Sequence, residues 1–383
     1  MTSHQEEFMM QVANENKSFG LMILVVYFVA VPVCAQLPAV DTARNEVNAD
    51  AGGEALRFPA VEIAHTFAPP GESNVRSSIK LADGVALIGT EETGDVFKTI
   101  DAGRTWTKTT DGRNEWKIQD VRNFLRADDG RLYATTSEPA LVLRSDDEGE
   151  TWDVVARPEA SRTVALTQLD TGDILVGLRR SKNNKISIVR SSDHFDTFDT
   201  VVLDEDLPRQ NTTCLFDLGD GVVLCGVGYE ASGKIFRSTD AGLTWALTAE
   251  FPKARDVMNF FKIGDKVFVL TSGIATICAS DDTGKSWGKH SQIWKKGFVG
   301  QHATLEHRGQ RFHLLAATDQ RKDVKRHVVL ISDDAGESWN EWIELATDLS
   351  GGASNLAVID DGTIIVGTGN HSVQGKVFML RIK

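Results

Sequence analysis

Ser238-Thr239-Asp240-Ala241-Gly242-Leu243-Thr244-Trp245 decides the architecture, because its pattern, Ser/Thr-x-Asp-x-Gly-x-Thr/Ser-Trp, returns along the chain. Further intact copies stand at Thr99 to Trp106, Ser145 to Trp152, Ser280 to Trp287 and Ser332 to Trp339. An eroded copy, Ser191 to Phe198, has Phe195 in place of the glycine and Phe198 in place of the tryptophan. The aspartates Asp101, Asp147, Asp193, Asp240, Asp282 and Asp334 lie 46, 46, 47, 42 and 52 residues apart, a spacing that marks a repeat architecture.

The residue types have a physical reason. An Asp carboxylate accepts hydrogen bonds from the N–H groups of a tight turn, Gly supplies a positive φ, and Trp buries its ring in a neighbouring apolar layer. Each octad therefore staples the third strand of a small sheet to the fourth. Around it recur short β-rich runs, as in Ser78 to Leu81, a turn at Asp83-Gly84, Ala86 to Gly89 and Asp95 to Lys98. Hairpin turns recur at Asp129-Gly130, Asp220-Gly221 and Asp361-Gly362, with Gly172 in the third unit. A seventh unit runs from Asn355 through Val366-Gly367 to Gly375 to Phe378, and the chain stops at Lys383 before a fourth strand. The β-like segment Ala60 to Phe67 precedes the first unit and is expected to fill that vacancy, protecting an open sheet edge.

The octad resembles the Asp-box, or bacterial neuraminidase repeat, of sialidases and related carbohydrate-active proteins, at six positions covering nearly the whole mature chain. The resemblance implies an all-β fold, a seven-bladed β-propeller closed by its N-terminal strand, where typical sialidase catalytic domains have six blades. It also implies that the six aspartates are structural, since the boxes of that family lie on the face away from the active site. Leu56-Arg57-Phe58-Pro59 echoes the sialidase Phe/Tyr-Arg-Ile-Pro signature, making Arg57 a ligand candidate.

Residues Phe19 to Val33 form an apolar run of 15, short for a membrane span and followed by Val33-Cys34-Ala35 before Gln36. The expected organisation is a signal peptide over 1–35, a flexible linker over 36–55 and the propeller over 56–383, giving a secreted or periplasmic protein with no membrane span after cleavage. Lipidation at Cys34 is the alternative, behind a Val33 bulkier than such sites usually tolerate. Cys214, Cys225 and Cys278 remain after cleavage, too few and odd in number for a disulfide scaffold. Cys214 and Cys225 are diagonal neighbours across a hairpin, so buried thiols are expected. The net charge of −13 argues against nucleic acid as a partner. No metal or cofactor motif is present, and His302 and His307 fall on opposite faces of a strand.

Ligands of propellers usually bind around the central channel, opposite the boxes. Aligning the repeats on their hairpin turns puts Arg76 and Arg122 at one equivalent position, with His302 in the sixth repeat and Arg162 two residues earlier in the third. The loop between second and third strands carries Glu92, Glu138, Arg180 and Tyr229, with Arg179 and Glu230 adjacent. Clustered guanidinium groups suit a carboxylate or sulfate, which an Arg fork holds by two parallel hydrogen bonds. The competing reading is that they form ion pairs with Glu92, Glu138 and Asp120 or are solvated. Sialidases use three arginines, a Tyr nucleophile activated by Glu, and an Asp acid/base; here the resemblance puts Tyr229 beside Glu230 in the nucleophile's role. Glu92, Glu138, Glu230 and Asp120 are the carboxylates from which a hydrolytic pair would be drawn. The expected ligand is an acidic glycan or other anion, hydrolysed or only bound, and a protein partner is the alternative.

Overall fold

A computed structural model describes residues 57–383, apart from 183, 209, 229–231, 289, 322–324, 347–350 and 370–373. Among the described residues there are twenty-six strands and one short helix, and no helix long and apolar enough to cross a membrane. The expected leader and linker, as well as Tyr229 and Glu230, lie outside the described residues.

The first repeat comprises β2 (Asn74–Ala82), β3 (Val85–Glu91), β4 (Val96–Thr99) and β5 (Thr107–Thr110), an antiparallel meander. Helix α1 (Gly112–Trp116), capped by Asp111, leads to the second, β6 (Asp120–Arg126), β7 (Leu132–Ser137), β8 (Val142–Ser145) and β9 (Asp153–Ala156). The third is β10 (Ala160–Gln168) to β13 (Asp199–Pro208), with β11 (Ile174–Ser181) and β12 (Lys185–Ser191) between. Single-residue pairings, Glu91 with Asp120 and Ser137 with Arg162, join these three repeats. The fourth is a separate four-stranded sheet, β14 (Asn211–Gly219), β15 (Val222–Gly228), β16 (Gly233–Ser238) and β17 (Ala246–Phe251).

The fifth and sixth repeats share strands. β18 (Val257–Ile263) pairs with β19 (Lys266–Ser280), and β20 (His290–His307) serves both β19 and β21 (Gln310–Asp319) before β22 (Arg326–Ser332) and β23 (Asn340–Ala346). At Gly297 of β20, which pairs with both Gly273 and Asp319, a Cβ would stand 2.3 Å from the Thr318 carbonyl oxygen. The last sheet has the order β1 (Val61–Phe67), β26 (Lys376–Ile382), β25 (Thr363–Thr368), β24 (Ala353–Asp360). The expected pairing of the first strand with the last is present, from Val61 opposite Ile382 to Phe67 opposite Val377.

All six octads make the same staple. In the first, Asp101 accepts from Thr105 N–H at 2.8 Å and from its hydroxyl at 2.7 Å, while Thr99 Oγ1 accepts from Gly103 N–H at 2.9 Å. The eroded copy does the same through Asp193, Thr197 and Ser191. The turn needs two successive left-handed residues rather than the single glycine expected: Ala102 and Gly103 have φ of 60° and 82°, and His194 and Phe195 of 58° and 71°. The hydroxyl donors of Thr105 and Thr197 hold the Asp101 and Asp193 carboxyls below their ordinary range.

Each box also seats its repeat on the one before it. A Cβ on Gly149 would meet Leu87, on Gly242 Leu175, on Gly284 Leu224, and on Gly336 Phe268. For the first repeat the neighbours of Gly103 are Ile365 and Met379, in the last sheet. Box tryptophans follow suit: Trp152 packs with Leu87, and Trp287 with Leu224. Phe195 fills the missing tryptophan's layer beside Tyr133, ring centroids 5.8 Å apart, and is 5 % exposed. A left-handed L-residue costs roughly 1–2 kcal/mol, but removing a buried Phe costs about 3–5 kcal/mol. Phe195→Gly is therefore expected to destabilise by about 2 kcal/mol despite restoring the consensus; a gain in urea midpoint would contradict this packing.

The three described cysteines are buried, and Cys214 and Cys225 are free thiols. Leu215, not Cys214, stands opposite Cys225, the diagonal relation expected. Burial pushes the Cys214 thiol up to about 12.

Candidate anion-binding cavity

The first strand of each of the first five repeats skips one residue in its pairing with the second. Val75 pairs with Thr90 and Ser77 with Gly89, bypassing Arg76. The same slip bypasses Arg122, Val164, Thr213 and Met258. A bulge leaves its extra residue unpaired and re-aims the side chain. All five skipped residues line one cavity of about 700 Å³, together with Arg179, Lys253, Arg255 and Asp256.

The arginines are neutralised in part by fixed carboxylates. Arg76 Nη2 donates to Glu91, Arg122 Nη2 lies 2.6 Å from Asp120 Oδ2, and Arg162 Nη2 donates to Glu138 Oε1 at 2.7 Å. The ion-pair reading therefore holds, with Glu91 in the place expected for Glu92. Alternation along the strand is the reason: Glu91 ends β3 facing Asn74 and Asp120, whereas Glu92 is exposed, has φ of 102° and accepts from the Ser73 hydroxyl at 2.8 Å. Burial pushes Arg122 down to about 10; Asp120 opposes that shift, while Arg76 and Arg162 add to it. Three guanidinium groups thus share one electrostatic neighbourhood. Five cationic lining side chains face one lining carboxylate, Asp256. With Glu91 and Asp120 included the wall keeps a positive excess, on a chain of formal net charge −13.

Other candidates sit elsewhere. Asp120, 2 % exposed, also accepts from the Ser137 hydroxyl, so both Arg122 and Ser137 hold it. Arg179 lines the cavity rather than Arg180, whose left-handed backbone N–H donates to Asn211 Oδ1 at 2.8 Å. Arg57 reaches the opposite face and grips Asp333 of the sixth box at 2.6 and 2.9 Å.

His302 does not join the arginines, a correction to the alignment. In the sixth repeat the bulge falls between Val299 and His302, leaving the histidine beyond it. Its ring stacks on Phe261 at 4.2 Å and 12°, and Nε2 lies 3.1 Å from His313 Nδ1. Burial, then His313, pushes His302 down to about 3. A histidine kept neutral by the fold weakens it once the unfolded chain takes up the proton, so this contribution is intact above pH 6.5 and falls on acidification towards pH 3. Between pH 6.5 and 5 the expected loss is about 2 kcal/mol. Urea titrations of His302→Gln should show a flatter profile in that window; an unchanged slope would sink the assignment.

Sequence reasoning missed Lys253, Arg255 and Asp256, and the signal was present in Pro252-Lys253-Ala254-Arg255-Asp256 at the connection from the fourth repeat to the fifth. It also missed a recurrent hydroxyl at the end of the second strand. Thr90, Thr136 and Thr271 each donate to a carbonyl and accept an N–H across the hairpin there. Among the described residues no three His, Cys, Asp or Glu side chains gather to hold a metal.

No family model and no curated protein matches the chain. Solved structures do. YCF48 bound to D1 peptide is similar at 14 % identity and TM-score 0.60, over 86 % of this chain and 97 % of that one. A streptogramin B lyase is similar at 12 % identity and TM-score 0.60, over 85 % and 98 % of the two chains. The WD40 β propeller domain of Doa1 matches at 11 % identity, TM-score 0.60, over 85 % and 98 %. Likeness at this level speaks to fold alone, and together with the repeated antiparallel sheets it gives the chain an all-β fold similar to that of β-propellers.

Proposed function

We propose that the chain is an exported Asp-box propeller of seven blades, spanning 56–383 behind a cleaved leader (1–35) and linker (36–55), that binds an anionic ligand in its arginine-lined cavity. The seating of the first box on the last sheet and the pairing of β1 with β26 support seven blades in a closed ring. The observation that carries the functional reading is the convergence of Arg76 and Arg122, on equivalent bulges, beside Arg162. The acidic glycan expected from the sequence is one such ligand. Binding is favoured over hydrolysis because the carboxylates against the arginine cluster, Glu91, Asp120 and Glu138, are each held by an arginine rather than placed as free acids. That one neighbour was solved with a peptide bound is consistent with a binding role.

Calorimetry with a panel of carboxylates and sulfonates tests this. At least one anion should bind, and Arg76→Gln should weaken it by about 10- to 100-fold, the scale of a charge-assisted hydrogen bond. Arg76 is the suitable site because it and Glu91 are only part-buried. Absence of binding by every anion would overturn the proposal. Turnover of sialosides or uronosides abolished by Tyr229→Phe and Glu230→Gln would replace it with the hydrolytic reading.

A further inference from the structure

We infer that the cavity takes a small amphipathic carboxylate, an acid whose anionic end meets Arg76 and Arg122 and whose apolar body lies against Val164 and Met258, rather than a polyhydroxylated sugar acid. The inference rests on the anion-binding reading above and specifies its ligand. Its basis is the asymmetry of the bulge positions. The first two repeats place guanidinium groups in the cavity, the third places Val164, the fourth Thr213 and the fifth Met258, and Ala254 and Pro252 also line it.

The cationic wall has donors to offer. Arg76 and Arg122 each use Nη2 on a fixed carboxylate, and the buried Nε of each has no hydrogen-bond partner. A ligand carboxylate accepting from these groups would satisfy them and offset the mutual repulsion of clustered cations.

The hydroxyl protons and the amide oxygen across the cavity are already engaged. Thr213 donates its hydroxyl to the Val257 carbonyl, Thr212 donates to the Leu178 carbonyl at 2.8 Å, and Asn211 Oδ1 accepts from Arg180 N–H. Sugar hydroxyls entering this half would leave water for side chains whose hydroxyl protons already serve the scaffold, and unpaired hydroxyls oppose binding. An apolar body needs no hydrogen-bond partner against Val164 and Met258 and gains from leaving water. Met258, unbranched and polarisable, adapts to its shape. A volume of about 700 Å³ falls in the range of small-molecule sites.

The test is calorimetry of the purified chain with 3-phenylpropionate, its neutral amide and glucuronate. 3-Phenylpropionate should bind at least about tenfold more tightly than glucuronate, and the amide at least about tenfold more weakly than the acid. Val164→Thr, nearly isosteric, and Met258→Gln, of similar length, should each weaken 3-phenylpropionate by roughly three- to tenfold. Glucuronate should be unaffected by both, and melting curves identify any variant that has lost its fold. Glucuronate binding as tightly as 3-phenylpropionate would overturn this inference and leave the anion site standing. Failure of both acids and of every other anion would overturn both. Preferential binding of 3-phenylpropionate that two folded variants leave untouched would show that the apolar body lies elsewhere.

Discussion

Arg122→Ala is expected to lose anion binding and to cost the fold about 3–5 kcal/mol, because it strands a buried carboxylate. Asp120 is 2 % exposed and Arg122 is its cationic partner at 2.6 Å; without it only the Ser137 hydroxyl donates. Desolvation of an unpaired charge outweighs any gain from a smaller side chain. Pairing the change with Asp120→Asn removes the stranded charge, so the double variant should recover most of the stability and none of the binding. Urea unfolding read beside calorimetry separates the two effects. If Arg122→Ala unfolds within about 1 kcal/mol of the parent, as exposed ion pairs do, the pair is not buried. The conclusion that the fold builds this site around an internal carboxylate would then fail.

What the sequence disclosed, and what it did not, follows from the range of the interactions involved. The octads were legible because their chemistry is local: Asp, hydroxyl and Gly lie within four residues, so even the eroded copy at Asp193 declared its staple. The strand from Ala60 was legible because a missing fourth strand implies a donor. The arginine cluster was legible through repeat equivalence, which holds as long as each bulge sits at the same place. It failed for His302, where the shift runs from Val299 to His302 and carries the side chain out of step. It failed by one residue for Glu91, since alternation decides which of two adjacent glutamates faces inward. Lys253 and Arg255 were hidden for another reason: they lie in a connection between repeats, where no alignment assigns an equivalent position.

Removal of residues 1–67 should abolish cooperative folding. β1 itself is mostly exposed, so its value lies in what it covers. Its ladder runs along β26, whose Val377, Phe378, Met379 and Leu380 are 2 %, 5 %, 3 % and 0 % exposed. Phe67 stacks on Trp106 at 5.8 Å and meets Phe97 edge-on at 5.6 Å, tying the last sheet to the first repeat. Trp342 Nε1 donates to the Pro59 carbonyl at 2.8 Å and Arg57 grips Asp333, tying the same segment to the sixth. A lost ladder of this length, at about 1 kcal/mol for each net hydrogen bond, amounts to roughly 5 kcal/mol before any packing is counted. That is a large part of the 5–15 kcal/mol typical of a folded domain. The bare β26 edge would also invite pairing between molecules, so the truncated chain should aggregate at concentrations where the parent stays monodisperse. A synthetic peptide spanning 57–70, added in trans, should restore a cooperative melt. A truncated chain that melts like the parent without the peptide would mean that the last sheet is stable with three strands.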